Sequence, residues 1–510
     1  MIRLALVFFS AVVLYFAFPN VISIEGCPPL AWVALVPFLR ALDAAPLQGR
    51  FLLGLLWGGV VFLLLVHWLM PVSVGGYLIF ALALALGPVV FSVLAVSFSP
   101  SFFSLFYIPC AWVVSEGLRS WILGGFTWSV AYSQAFYPEQ IHLAAWGGVY
   151  AVAWVIVFVN MGLYWALKTH GPERKKFLII TAVAFLLNLS FGMGSEIVHK
   201  LSRTKETWRV GLVQPNISRE DKTNEKLYDE NVAPHLRLTK QSVVKGAPDL
   251  IIWPETAFPD DILKDFKWRP RVSQVARNFK VNFLIGSALM DDAGHDLNSA
   301  LLVSPDGEWR GLYNKIKLVP FSEYSPFDND EQFFPQISAM IKKSVGVTGY
   351  HFIAGKAFGV LSVGKENNGR ARMERLIGVS ICSEEAYPLL FRELAKRDVS
   401  FLVVMLNDGW FKAPEALMMH AQNAPFRAVE TGRAVVRAAN TGLTIVFSPD
   451  GMALGASRLP LQNAGFSLAD VPSGQGTTLY TILGDIFLWL CAAFVIISWM
   501  LKKKRRGSIN

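Results

Sequence analysis

The chain has 510 residues, of which 53% are hydrophobic and only 17% charged, and its mean hydropathy is +0.41. That is too apolar for an ordinary soluble protein and too charged for a pure membrane bundle, so a membrane part joined to a globular part is expected. The net charge of +9 does not point to nucleic acid: basic residues cluster beside apolar segments, as in Arg174-Lys175-Lys176 and Lys502-Lys503-Lys504-Arg505-Arg506, where membrane topology and anionic lipid account for them.

Residues 1–197 are mostly apolar runs long enough to cross roughly 30 Å of hydrocarbon. Seven spans are expected, near 3–20, 28–46, 51–70, 75–97, 103–121, 142–167 and 177–195. The first follows Arg3, but no small-x-small cleavage site ends it and more spans come after, so it reads as an anchor. Trp57, Trp68, Trp121, Trp128 and Trp146, near span ends, read as interfacial anchors. Glu116 and Arg119 stand one helical turn apart and read as a local ion pair or as a phospholipid head-group contact, the ion pair being preferred.

Composition changes near residue 198. Residues 198–478 alternate β-rich runs with charged amphipathic stretches, 479–501 are a final span, and 502–510 form a basic tail. In an eight-span arrangement Arg3, Arg40, Arg50, Lys168, Arg174, Lys175, Lys176 and the C-terminal cluster share one side, while the short loops opposite carry little positive charge besides Arg119. Both termini are then expected in the cytoplasm, with the globular domain in an oxidising, periplasm-like space.

Within that domain strands are expected at 208–214, 249–253, 282–288, 298–304, 356–363, 375–381, 400–406, 434–439 and 443–448, and helices at 224–245, 265–279, 385–396 and 413–432. The alternation indicates α/β layers. Two Ser-Pro-Asp-Gly turns, 304–307 and 448–451, follow apolar strands and suggest hairpins at equivalent edges. There is no glycine-rich phosphate loop and the eight histidines are scattered, so neither a dinucleotide nor a metal is expected, and no cofactor is implied.

Cys382 ends the apolar run Ile377-Gly378-Val379-Ser380-Ile381 and is followed by Ser383-Glu384-Glu385. The other cysteines, Cys27, Cys110 and Cys491, lie in or beside apolar segments, so Cys382 has no partner in its own region. A lone thiol kept in an oxidising space reads as a nucleophile, against the plainer role of a small buried hydrophobe. At the start of helix 385–396 its proton affinity would be lowered. Glu255, in Trp253-Pro254-Glu255-Thr256, stands at a strand's carboxyl end, where α/β sites gather; it reads as a base with raised proton affinity beside Trp253, or as a turn acid. In Tyr313-Asn314-Lys315-Ile316-Lys317 either lysine could stabilise a thiolate or an oxyanion, and spacing does not separate them. Glu323 reads as a partner that orients the lysine, or as a surface acid. Over 327–350, Phe333, Phe334, Ile337, Met340 and Ile341 fit one helical face before Lys342-Lys343, which predicts either a lid that dips into the interface or a packed surface helix.

Glutamate, lysine and cysteine in this order resemble the nitrilase superfamily, whose triad sits on an αββα sandwich. With the membrane spans, the whole chain resembles the apolipoprotein N-acyltransferase family. The resemblance is carried by Trp32-Val33-Ala34-Leu35-Val36-Pro37-Phe38, by Trp112 to Arg119, by Gly125-Phe126-Thr127-Trp128 and by Gly211-Leu212-Val213-Gln214-Pro215-Asn216-Ile217. Further on it is carried by the run 318–323, by Asn407-Asp408-Gly409-Trp410-Phe411, and by Arg427, Glu430, Arg433, Arg437 and Asn440-Thr441-Gly442. It implies Glu255 as base, Cys382 as nucleophile and Lys315 as the oxyanion-stabilising cation, because the family's lysine stands two residues before the Leu-Val-Pro-Phe run. It also implies supporting roles for Glu323 and Glu384, and substrate contacts for Ser383, Asn407, Trp410, Phe333 and Phe334. The implied partners are the bilayer, a phospholipid acyl donor and a diacylglyceryl apolipoprotein acceptor, at a bacterial inner membrane. Lys317 stands where the family usually has histidine, Ser383 where an aromatic is common, and no tryptophan lies near 221–224. A membrane-anchored amidase and a non-catalytic lipoprotein-binding module are the competing readings.

Overall fold

The computed structural model describes residues 1–95, 100–201, 206–222, 224–320, 322–324, 352–367, 370–474 and 476–507. The expected lid at 327–350, with Phe333 and Phe334, lies outside the described residues. The chain divides into two compact units, one of Met1–Met70, Tyr77–Val198 and Thr478–Asn510, the other of Pro71–Gly76 and His199–Thr477.

Among the described residues of the helical unit four helices are long and apolar enough to cross a membrane: Leu47–Leu65, Val74–Leu94, Ala144–Lys168 and Gly171–Ser195. Ile2–Ala17, Pro28–Leu42 and Ile486–Lys502 are apolar but shorter. The span expected at 28–46 is broken into Pro28–Leu30, Ala31–Ala34 and Val36–Leu42. Pro28 and Pro29 open the first piece and Pro37 lies in the first turn of the last, where its missing N–H breaks the ladder, and the whole stretch rises only about 22 Å at ~1.5 Å per residue.

The expected pairing of Glu116 with Arg119 on helix Phe102–Ile122 is not made. The Glu116 carboxylate accepts from Trp112 Nε1 (2.8 Å), Ser129 Oγ (2.7 Å) and the Val130 amide (3.0 Å), and Arg119 donates to the Leu84 and Trp128 carbonyls. Each buried charge is thus met by nearby dipoles. Trp57 is also not an interfacial anchor: it is 1% exposed, stacks on Phe38 at 4.6 Å and donates to Ser10 Oγ at 2.9 Å. Trp121 and Trp146 are exposed, as anchors would be.

The second unit is an α/β sandwich. Its strands are β1 (Thr207–Gln214), β2 (Leu250–Ile252), β3 (Asn282–Met290), β4 (Asp296–Val303), β5 (Trp309–Asn314), β6 (Gly359–Asn367), β7 (Arg370–Ile381), β8 (Leu402–Leu406), β9 (Val435–Ala439), β10 (Ile445–Phe447) and β11 (Gly465–Pro472). They form two sheets, ordered β11-β1-β2-β3-β4-β5 and β10-β9-β8-β7-β6. β5 and β11 stand where no strand was expected. The strand period of two divides the apolar residues. Leu250 and Ile252 face the other sheet, with Leu284, Val379, Ile381, Val403 and Met405. Ile251 and Trp253 point outward, against Val232 and Leu238 of helix Tyr228–Gly246 and Val272 of helix Trp268–Phe279.

Both sheets repeat one plan. Three parallel strands (β1-β2-β3 and β7-β8-β9) are followed by an antiparallel one (β4 and β10). Each antiparallel strand ends in a Ser-Pro-Asp-Gly turn, closed by a 2.8 Å bond from Gly307 to Ser304 or from Gly451 to Ser448, with both glycines at φ +80. The single helix expected over 413–432 is two, Pro414–Ala421 and Asn423–Thr431. Pro425, which has no N–H to donate to the preceding turn, fits only in the first turn of a new helix.

Candidate active site

The thiol, the carboxylate and the lysine expected to act together each stand just past a strand end. Cys382 follows β7 at φ +53, a left-handed conformation that costs a non-glycine residue about 1–3 kcal/mol. The buried Glu384 holds that turn. Its carboxylate accepts from the Ile381 amide (2.8 Å), the Tyr313 hydroxyl (2.7 Å) and the amides of Ile316 (2.8 Å) and Lys317 (3.0 Å). One side chain therefore fastens the cysteine turn to the loop that carries Lys315.

Cys382 does not stand at a helix N-terminus as expected. A 3₁₀ turn, Cys382–Ala386, intervenes before helix Pro388–Ala395, so no helix dipole acts on the sulfur. Burial pushes its thiol well above the ordinary range, Glu255 adds to that, and Lys315 opposes it. At rest the sulfur carries its proton and needs a base.

Glu255 lies beyond β2, on a chain that passes close to β3. The Trp253 amide donates to the Leu284 carbonyl (2.9 Å) and the Phe258 amide to the Gly286 carbonyl (3.1 Å), while Thr256 turns at φ +47. Gly286 permits the approach: a Cβ there would lie 2.4 Å from the Pro254 oxygen and 2.8 Å from Glu255 Cα. Glu255 is buried, and burial pushes its carboxyl up; Lys315 opposes this and Glu323 adds to it. Asn298 Nδ2 bridges Glu255 Oε1 (2.8 Å) and Glu323 Oε1 (3.0 Å).

Lys315 is 1% exposed, with its Nζ 2.9 Å from Glu323 Oε1 and 3.9 Å from Glu255 Oε1. Burial works against its charge, but Glu323 and Glu255 outweigh that and raise its proton affinity, and a thiolate formed at Cys382 would add to the rise. Glu323 is fixed in turn by the Val319 amide (2.7 Å). Lys317 is turned elsewhere, 5.3 Å from the Tyr387 ring centre. The arrangement joins a base, a permanent cation and a thiol in one field, which suits attack on a carbonyl.

The other expected contacts divide. Asn407, just past β8, donates to Thr256 Oγ1 (3.2 Å) and accepts from Asn440 Nδ2 (3.1 Å), so it clamps the Glu255 turn. Trp410 stacks under the Arg219 guanidinium at 3.7 Å. Ser383 Oγ is buried with no hydrogen-bond partner among the described residues. Several residues escaped the sequence reading. Asn298 is one, although an asparagine inside the apolar strand Asp296–Val303 is itself a signal. His420 is another: it links Asp408, Glu385 and Arg437, named above only within their motifs, into a buried chain beside Cys382, with Asp408 Oδ1 to His420 Nδ1 at 2.8 Å, His420 Nε2 to Glu385 Oε2 at 3.9 Å and Glu385 to Arg437 Nε at 3.0 Å. Among the described residues no three His, Cys, Asp or Glu side chains form a metal site.

Two sequence families match this chain: the apolipoprotein N-acyltransferase N-terminal domain over residues 10–162, and carbon-nitrogen hydrolase over 209–479. An apolipoprotein N-acyltransferase of Geobacter metallireducens is 30% identical, the match covering 98% of this chain and 95% of that one. Apolipoprotein N-acyltransferase 1 of Treponema denticola is 27% identical over 98% and 95%, and that of Thermotoga maritima 26% over 93% and 90%. Among solved structures, an amidase of the nitrilase superfamily from Nesterenkonia overlaps 53% of this chain and 93% of its own, at 17% identity and a TM-score of 0.37. A nitrilase-superfamily protein of Saccharomyces cerevisiae overlaps the same shares at 15% identity and a TM-score of 0.39. The sequence matches run through both units and nearly end to end, and by them the chain belongs to the apolipoprotein N-acyltransferase family, with a nitrilase-like α/β sandwich as its second part.

Proposed function

We propose that this chain moves an acyl group from a membrane phospholipid to the α-amine of an apolipoprotein's N-terminal diacylglyceryl-cysteine, by way of a thioester on Cys382. The observation that carries the reading is Lys315, held between Glu255 and Glu323 at 3.9 and 2.9 Å on the loop that Glu384 fastens to the Cys382 turn. Glu255 takes the proton from Sγ, and the thiolate adds to the ester carbonyl. Lys315 meets the oxyanion as the C–S bond forms. The ester C–O bond then breaks, Glu255 returns its proton to the departing oxygen, and a lysophospholipid leaves.

In the second half the lipoprotein amine attacks the thioester. Glu255 takes the amine proton, the C–N bond forms, the C–S bond breaks, and the proton passes back to the thiol. The amide is more stable than the thioester, so this half runs forward. Water must be kept from the thioester, and the bilayer that presents both lipid substrates serves that end. A placement with both termini in the cytoplasm and residues 198–478 in the periplasm fits the positions of Arg3, Arg40, Lys168 and Arg174 to Lys176.

The test uses vesicles of phospholipid with alkyne-tagged acyl chains and a synthetic diacylglyceryl-cysteine peptide. Tagged amide on the peptide with an equal amount of lysophospholipid supports transfer. Tagged free fatty acid without amide would instead assign the chain to hydrolysis.

A further inference from the structure

Lys222 ends the short helix Arg219–Lys222, and its side chain is buried, with the residue 9% exposed. Among the described residues it pairs with no carboxylate. Its Nζ donates to the main-chain oxygens of Glu255 (3.2 Å) and Thr256 (3.1 Å). A buried ammonium with only carbonyl partners costs stability, so packing alone does not account for it. The turn it grips is the one where Thr256 takes φ +47. The same turn is closely approached by Gly286 and tied through Thr256 Oγ1 to Asn407.

We propose that Lys222 is a positioning residue for the base: by holding the Glu255 and Thr256 carbonyls it fixes the turn that aims the Glu255 carboxylate at Lys315 and Cys382. This rests on Glu255 being the base. The charged and titratable groups that act on Lys222 are Glu255 and His235. His235 stays neutral, because burial first and Lys222 second push it down to about 3. Burial brings Lys222 down to about 7, with Glu255 opposing. While charged, Lys222 favours the ionised form of Glu255, an effect added to those of Lys315 and Asn298.

The experiment follows thioester formation by the full-length protein on vesicles of phosphatidylethanolamine and phosphatidylglycerol, as a function of pH. Lys222→Met, without charge or donor, should acylate on the order of tenfold more slowly or worse, with the acid limb moved to higher pH. Lys222→Arg, which keeps the charge and two donors, should restore most of the rate and the original limb. A Lys222→Met variant that matches wild type in rate and limb overturns the inference. If Lys222→Met does not fold, Lys222→Gln, which keeps a donor without the charge, decides: it should acylate more slowly than wild type with the acid limb at higher pH, and a folded Lys222→Gln protein with the wild-type rate and limb overturns the inference. No thioester in wild type at any pH defeats the parent reading instead, and is told apart because it does not depend on residue 222.

Discussion

Gly286→Ala tests whether the backbone crossing that seats Glu255 matters to the chemistry. The three atoms nearest the added methyl would all be main-chain: the Pro254 oxygen at 2.4 Å, the Thr256 nitrogen at 2.7 Å and Glu255 Cα at 2.8 Å. Ordinary contact begins at 3.4 Å, so the Glu255 turn or β3 must yield by about 1 Å. β3 is held by eight register pairs to β4 and three to β2, whereas the turn is a loop, so the turn is the part that moves. A misplacement of ~1 Å costs a reaction about 100-fold, equivalent to about 2.7 kcal/mol of barrier. Overpacking adds a stability loss of about 1–3 kcal/mol. Rapid-quench mass spectrometry of the acylated protein gives the rate, and circular dichroism with thermal unfolding confirms the fold. Acylation at the wild-type rate in a folded Gly286→Ala protein would refute the claim that this crossing sets the position of the base.

Further outcomes follow from neighbouring contacts. Lys315→Met removes the cation between Glu255 and Glu323, and should lower thioester formation by about 100- to 1,000-fold and slow alkylation of Cys382 by iodoacetamide; a loss under tenfold contradicts the oxyanion role. Glu384→Gln turns an N–H₂ toward a site that receives four donors, and should cost about 3 kcal/mol, roughly 6–12 °C in the unfolding midpoint. His420 is disfavoured as a cation by burial, but Asp408 and Glu385 hold its proton affinity above the ordinary 6.5. Its folded value is raised, so its contribution to stability is complete below pH 6.5 and is lost as the pH climbs through the folded value. The stability gap between wild type and His420→Gln should therefore shrink above pH 6.5, and a gap that widens there reverses the assigned sign.

Much of the second unit was legible because β1 to β4 and β7 to β10 are apolar runs closed by turn residues, and because Glu255 and Cys382 stand directly past two of them. β5 and β11 were not legible for a local reason. Trp309–Asn314 mixes Arg310 and Gly311 into a partly exposed strand, and Gly465–Pro472 gains its strand character by pairing with β1, far away in sequence. The thiol's proton affinity was misjudged because the helix expected to begin at its side starts only at Pro388, so burial prevails over the dipole. Asn298, Lys222 and the chain of Asp408, His420, Glu385 and Arg437 act across strands, where sequence spacing carries no distance. In the helical unit, apolar runs predicted helices well, but the second broke into three pieces, one of them restarting at Pro37. Glu116 and Arg119 make no direct ion pair, and Trp112, Ser129 and Val130 take the Glu116 oxygens instead, partners that lie up to 14 residues away in sequence.

Intact-protein mass spectrometry after incubation with phospholipid alone reads a thioester on Cys382 as added mass. Wild type should gain one acyl chain that hydroxylamine removes and that is absent from Cys382→Ala. A folded, lipid-competent wild type with no adduct, or an adduct that persists in Cys382→Ala, would contradict the thioester.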